Sequence, residues 1–221
     1  MRGKLRWNML GQLRLLPEEI LVKTGPVDHA DWNFRPFLGA IQRSRFRLLL
    51  RLMDGERFDR LLEVGYGSGV FLPELARRCR ELHGIDIHEE SERVAASLRK
   101  LDVGATLCSA SAERMPFGDG SFDAVVAVSS FEFISDFDRA CAEIGRVLAP
   151  GGAFFVVTPG DSPILDVGLK LLTGADAKRD YEGRRGAVMP ALSRHFRIER
   201  AQAFPNSTFA IYRGLRLRKK T

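Results

Sequence analysis

Residues Leu61–Phe71 read Leu-Leu-Glu-Val-Gly-Tyr-Gly-Ser-Gly-Val-Phe. An apolar run carrying an acid near its end breaks into three alternating glycines, Gly65, Gly67 and Gly69, and Val70, Phe71 and Leu72 then open a helical pattern. A strand, a tight turn and a helix start are thus packed into one short stretch. Glycines at such a junction allow positive φ and let the backbone lie close to a ligand where a Cβ would not fit. Amide groups at the helix start are free to donate to that ligand. The turn is therefore expected to be the floor of a small-molecule site. A dinucleotide fingerprint, G-x-G-x-x-G, would need its third glycine at position 70, where Val70 stands, so a nicotinamide cofactor is disfavoured.

From this stretch onward, strand and helix patterns alternate, which implies a parallel sheet covered on both faces. Strands are expected at Arg60–Val64, Glu81–Ile87, Ala105–Ser109, Phe122–Val128 and Ala153–Thr158. Helices are expected at Gly69–Arg80, His88–Leu101 and Asp136–Leu148, the last stopped by Pro150-Gly151-Gly152. The ligand crevice then falls beyond the carboxyl ends of the first and fourth strands, where strand order reverses. Upstream, Leu38–Met53 fits an amphipathic helix with Arg43, Arg45, Arg47 and Arg51 between its apolar positions. Thr24–Pro36 reads as a loop, in which Trp32 and Phe34, with Phe37 just beyond, crowd a polar stretch. Downstream, Pro159–Pro190 is rich in Gly, Pro and Asp; a short helix at Ala191–Phe196 and a hairpin, Arg197–Phe204 with Thr208–Leu217, close the chain. The expected organisation is one α/β domain: an N-terminal helical and aromatic extension, 1–53, and a core, 54–221, with a variable lid at 159–190.

Composition limits the partners. The 221 residues are 45% hydrophobic and 28% charged, and no apolar run approaches the ~20 residues that a bilayer span needs. The basic N-terminus is interrupted by Arg6, Asn8, Gln12 and Arg14, so it does not read as a signal peptide, and a cytoplasmic, unprocessed protein is expected. Cys79, Cys108 and Cys141 are dispersed and read as buried structural thiols, with no metal set. The net charge of +6 is uneven: residues 1–53 carry ten Lys/Arg against four Asp/Glu, and 211–221 carry five against none. Such ends can meet phosphates of RNA or of lipid headgroups, or can simply be solvated. An arginine-rich amphipathic helix can also lie on a membrane surface, so peripheral membrane contact stays open.

Glu63-Val64-Gly65-Tyr66-Gly67-Ser68-Gly69 resembles the first motif, E/D-x-G-x-G-x-G, of the class I S-adenosylmethionine-dependent methyltransferases. Further segments resemble that family in order: Gly84-Ile85-Asp86, Ser111–Phe117, Ser129–Phe133 and Arg146–Gly152. The resemblance covers about Leu61–Thr158. It implies a Rossmann-like methyltransferase fold, a doubly wound, seven-stranded and mostly parallel sheet with a reversed C-terminal strand. It also implies S-adenosylmethionine as cofactor and S-adenosylhomocysteine as product. Carried over residue by residue, the cofactor would be held by Glu63, Gly65, Tyr66, Gly67, Gly69, Asp86, Ile87, Ala112, Glu113 and Ser129. Asp86 would accept from both ribose hydroxyls, and Ala112 and Glu113 would flank the adenine.

The resemblance leaves the acceptor open. A sulfonium methyl is already activated, so transfer needs alignment and exclusion of water, and a general base is optional. Many relatives carry His where this chain has Phe133. His29 and Tyr181 remain as candidate catalytic groups, a solvent-exposed role being the simpler reading of His29; Asp161 and Asp176 are similar candidates. Trp32, Phe34, Phe37 and Phe133 are expected on the acceptor side, which suggests a small, largely apolar molecule. The alternatives are an RNA methyltransferase, prompted by the basic ends, and a non-catalytic partner protein with this fold. Nucleic acid is disfavoured because Ser129–Glu132 is unlike the Asn/Asp-Pro-Pro-Tyr signature of base methylation at exocyclic nitrogens. The intact Glu63, Asp86 and glycines argue against a dead cofactor site. Oligomeric state is left open.

Overall fold

The computed structural model describes residues 13–26, 28–160 and 185–220. Five strands run parallel: β1 (Phe58–Val64), β2 (Cys79–Asp86), β3 (Thr106–Ser109), β4 (Phe122–Val128) and β5 (Leu148–Pro159). A hairpin of β6 (Phe196–Phe204) and β7 (Tyr212–Lys219) completes the sheet, with β7 inserted antiparallel between β5 and β6. The order is β3-β2-β1-β4-β5-β7-β6, so β1 lies between β2 and β4 and the order reverses there.

Side chains alternate across the sheet as a strand period of two requires. Leu61, Ala124, Val126 and Phe155 face a core shared with α1 (Leu38–Met53), α2 (Leu72–Leu75) and α3 (Ser91–Arg99). Leu62, Val125, Phe154 and Leu217 face the opposite core, against α4 (Phe137–Val147) and α5 (Arg185–His195). The N-terminal segment belongs to the first core: Leu13, Leu15 and Leu16 are buried in it, and Leu16 N donates to Val70 O. A short 3-10 turn, Ala30–Phe34, occupies the stretch expected to be loop.

Local expectation and structure differ where tertiary pairing overrides helical pattern. The helix expected over Gly69–Arg80 is the single turn α2, because Phe58 pairs with Cys79 and draws residues 79 and 80 into β2. Buried Glu74 fixes that turn, accepting from Arg14 N at 2.9 Å and pairing with Arg77 and Arg78. The helix expected from His88 starts at Ser91, since His88 is bonded back to the glycine turn. Pro150-Gly151-Gly152 do not precede β5 but bulge within it: Leu148 pairs with Phe122 and Ala153 with Ala124. The C-terminal helix is longer than expected, Arg185–His195. Most of the expected lid, with Tyr181, Asp161 and Asp176, lies outside the described residues.

Burial pushes the thiols of Cys79 and Cys141 up to about 11 and about 12, which keeps both protonated and inert at neutral pH. No helix among the described residues is long and apolar enough to cross a membrane.

α1 seats closely on β7 at Gly214, where an added Cβ would lie 2.7 Å from Leu52 Cδ1 and 2.9 Å from Leu48 Cγ. Gly214→Val is expected to cost about 1–3 kcal/mol through overpacking, read as a lower urea midpoint at unchanged m-value.

Candidate functional site

β1 ends at Val64, and the chain turns through Gly65, Gly67 and Gly69 at φ of 76°, 52° and 73°. Two of these glycines are also needed for space. A Cβ at Gly65 would run into the Ser130 side chain, and one at Gly69 would lie 2.7 Å from Val94 Cγ1. At Gly67 the nearest atom is Thr24 Oγ1 at 4.0 Å, so there the space is open and conformation alone demands glycine. The Gly67 peptide is clamped at both polar groups. Its N–H donates to Asp86 Oδ2 at 2.8 Å, and its carbonyl lies 3.1 Å from His88 Nε2. Because His88 Nδ1 accepts from Glu90 N–H, Nε2 carries the hydrogen and donates to Gly67. Asp86 Oδ1 accepts from Ile87 N–H at 2.7 Å.

A cavity of about 970 Å³ opens over this turn at the carboxyl ends of the central strands. That volume is at the upper end for ligand sites and leaves room for more than one small molecule. One wall is the turn with Asp86, Ile87 and Ala112; the other is the N-terminal segment and α1, including His29, Trp32, Ile41 and Arg45. Ile87 is 79% exposed here, an apolar surface waiting for a planar or apolar ligand.

Glu63 is 3% exposed, and its Oε2 has no hydrogen-bond partner. Burial first, and the neighbouring Asp86 charge second, push its carboxyl up to about 8, with Arg45 pulling the other way. Arg45 Nε is likewise buried without a partner, and Glu63 and Arg45 form no ion pair with each other. The Arg45 guanidinium packs over the Phe46 ring at 4.8 Å, and a cavity lined by this cation and by an unpartnered carboxyl oxygen complements a ligand bearing both charges.

The structure distributes the expected site residues unevenly. Glu63, Gly65, Tyr66, Gly67, Asp86, Ile87, Ala112, Glu113 and Ser129 line the cavity; Gly69 does not, and packs behind the turn on Val94 and Leu72. The Tyr66 ring is buried edge-on to His88 and against Gly84, so its part in the floor is largely that of its backbone. Glu113 Oε1 accepts from Asp136 N–H at 2.9 Å, tying it to the start of α4. Ser129 holds a left-handed conformation, φ 51°, with its hydroxyl buried and unpartnered. Of the four aromatic residues expected on the acceptor side, Trp32 and Phe133 line the cavity. Phe34 instead packs against the core beneath α1, and Phe37 is 92% exposed outside the cavity. His29 lies at the wall rather than out in solvent, half-buried and stacked on Trp32 at 4.1 Å. His88, Arg45, Gln42 and Tyr212 are lining residues that the motifs did not indicate. Arg45 could have been found: it falls at helical spacing within the apolar stripe Leu38, Ile41, Leu49, Leu52, unlike Arg43, Arg47 and Arg51.

A glycine turn at the switch point of a doubly wound sheet, faced by an acid at the next strand's end, defines a nucleoside-cofactor-binding α/β protein. Residues 62–156 match a family model described as a methyltransferase domain. The malonyl-[acyl-carrier protein] O-methyltransferase of Geobacter sulfurreducens is 33% identical over 132 residues, 55% of this chain and 47% of that protein. A demethylmenaquinone methyltransferase of Thermus thermophilus is 35% identical over 103 residues, 44% of this chain and 46% of that one. The chain thus spans about half the length of these curated relatives. In fold it is similar to the N-methyltransferase NodS of Bradyrhizobium japonicum in complex with S-adenosyl-L-homocysteine, with a TM-score of 0.64 and 20% identity over 88% of this chain and 94% of that one. Residues 62–156 thus match a methyltransferase domain, and the chain is similar to S-adenosylmethionine-dependent methyltransferases in sequence and in fold.

The raised Glu63 carboxyl has a measurable consequence in the ligand-free protein. Unfolded, Glu63 ionises near its ordinary value of about 4.3, whereas folded it holds its proton to about 8. The folded state therefore binds more protons across that window, and this group's contribution to stability falls as pH rises from about 4.5 to 8. Glu63→Gln is expected to flatten the fall, measured as the urea midpoint at pH 5, 7 and 8.5.

Proposed function

We propose that this protein transfers the methyl group of S-adenosylmethionine to a small, largely apolar acceptor held between the N-terminal segment and the strand ends. The observation that carries the reading is the Glu63 carboxyl, buried, unpartnered and aimed into a cavity whose floor is the clamped Gly67 peptide. An aliphatic ammonium is the natural partner for Glu63, and Arg45 across the cavity suits the carboxylate of the same amino-acid end. Asp86 keeps lone pairs for the two ribose hydroxyls after accepting from Gly67 and Ile87. Ile87 and Ala112 offer apolar surface for the adenine.

The cofactor, when bound, supplies a methyl group activated on a sulfonium. What the chain supplies is alignment and a dry wall. Trp32, Ile41, Phe133 and Ile211 line the acceptor side and suit an apolar body. His29, stacked on Trp32, is the group there placed to take a proton from the acceptor. Asp28 on the same segment is occupied, accepting from Thr24 N–H, the Thr24 hydroxyl and Ala30 N–H. The acceptors in the two relatives' names, a malonyl carrier and a quinone, accord with a small-molecule or carrier-borne acceptor. A salt-dependent RNA affinity would favour the competing RNA reading, for which no feature of the cavity speaks.

Calorimetric titration with S-adenosylmethionine is expected to show binding that strengthens from pH 6 to 8 with release of about one proton, since Glu63 must ionise to meet the ammonium. Glu63→Gln should abolish the proton release, and Asp86→Ala should weaken binding roughly tenfold to a hundredfold. No heat with S-adenosylmethionine, or equal binding of NADH, would refute the cofactor assignment. On the acceptor side, Trp32→Ala should lower incorporation of labelled methyl into a cell-extract acceptor while cofactor affinity stays within about twofold. Equal loss of both would count against the placement of Trp32.

A further inference from the structure

Among the described residues, five large apolar side chains are notably exposed: Phe37, Ile87, Phe133, Ile198 and Phe209. Ile87 and Phe133 face the cavity and are accounted for by ligand. Phe37 and Phe209, 92% and 59% exposed, are not. Each lies close in the chain to a residue that lines the cavity. Phe37 directly precedes Leu38, and Phe209 stands two residues before Ile211; Leu38 and Ile211 are lining residues.

Phe37 also heads a stripe along α1. Phe37, Ala40, Ser44, Arg47 and Arg51 recur at alternating spacings of three and four, which places them on one side of the helix. The last four, with Phe204 of β6, border a shallow groove of about 230 Å³. The helix carries Arg43, Arg45, Arg47 and Arg51 and no acid. Arg47 and Arg51 form no ion pair among the described residues, while the nearby acids Asp31 and Asp54 are engaged by Arg35 and Arg200. Like charges one turn apart repel, a cost that an external anion relieves.

Exposed phenylalanines together with a helix side that carries arginines without ion pairs are the chemistry of interfacial binding, apolar tips entering the headgroup–acyl boundary and cations meeting phosphates. Single-stranded nucleic acid would instead call for a run of stacking side chains along the basic groove itself, where Phe204 is the single aromatic lining residue. Here the two exposed rings stand at turns outside it, close in the chain to cavity-lining residues. We propose that this face docks the protein on an anionic lipid surface through Phe37, Phe209, Arg47 and Arg51, so that the cavity mouth opens toward the bilayer. The proposal deepens the reading of an apolar acceptor and rests on it: a membrane-dissolved acceptor then reaches Trp32 without crossing water.

Co-sedimentation tests it with two sets of vesicles, phosphatidylcholine alone and an equal mixture with phosphatidylglycerol. The protein is expected to bind the mixed vesicles, to lose binding in high salt, and to bind pure phosphatidylcholine at least about tenfold more weakly. The pair Phe37→Ser with Phe209→Ser, and separately Arg47→Gln with Arg51→Gln, should each lower binding to mixed vesicles by about tenfold or more. Their S-adenosylmethionine affinity should stay within about twofold of the parent, which shows that they fold. No binding of the parent to mixed vesicles, undiminished binding by both variants, or tighter binding to oligouridylate than to vesicles would each overturn the proposal. Labelled methyl transfer into a detergent-dissolved lipid extract tests the acceptor reading without a bilayer; transfer there without vesicle binding overturns docking alone.

Discussion

The hydrogen bond from Gly67 N–H to Asp86 Oδ2 ties the end of one strand to the end of the next, and the site depends on it. It requires the β1–β2 register as found, Val64 opposite Ile85, so that Asp86 comes next and turns toward the loop. A slip of one residue would put that carboxylate on the other face of the sheet. It also requires the left-handed turn at Gly67, and the absence of a side chain at Gly84, whose Cβ would press on Tyr66 Cδ1 at 2.9 Å. His88 then closes the clamp from the loop that follows β2. Glycines, register, acid and histidine act as one unit.

That unit makes two neighbouring carboxyls unlike. Asp86 receives two backbone N–H groups at 2.7–2.8 Å. Glu63 receives nothing at Oε2 and is almost wholly buried, and burial pushes its carboxyl up to about 8. An unpaired buried carboxyl is a cost that folding alone gives no reason to keep. Arg45 Nε and the Ser129 hydroxyl are orphaned in the same place, and Ser129 adds a left-handed backbone. Unmet polar groups and local strain gathered around one cavity mark a surface complete only with its ligand.

The central strands and the glycine turn were legible because each announces itself locally. β4 is almost all apolar, as a strand buried on both faces must be, and α4 shows both its Asp136 cap and its stripe. Segments whose form is set by distant partners were misread. Nothing within Gly69–Arg80 reveals that Cys79 will pair with Phe58, or that Glu74 will be buried beneath Arg14. Trp32, Phe34 and Phe37 look equivalent in a polar loop; only the 3-10 turn Ala30–Phe34 and the start of α1 send one ring to the cavity, one to the core and one to solvent. On the site itself, motif spacing found the floor and the aromatic loop pointed to Trp32 and His29 of the opposite wall, but Arg45, Gln42 and Tyr212 belong to no motif.

That opposite wall is built from separate parts of the chain, which has a physical consequence. The floor is strand ends and backbone, fixed by sheet register. The wall is an N-terminal segment held by a few polar contacts: the Asp28 turn, Arg43 donating to Asn33 O, and Arg14 N–H on Glu74. β7 joins it through the Tyr212 hydroxyl on Gln42 at 3.4 Å. None of these contacts involves Gly67, Asp86 or Glu63. Substitutions in the wall at residues other than Arg45, whose charge acts on Glu63, can therefore reshape that wall while leaving the Gly67–Asp86 clamp in place. A fold divided in this way can hold its cofactor constant while the acceptor varies, and it explains why floor motifs declare the class of chemistry and are silent about the molecule that receives the methyl group.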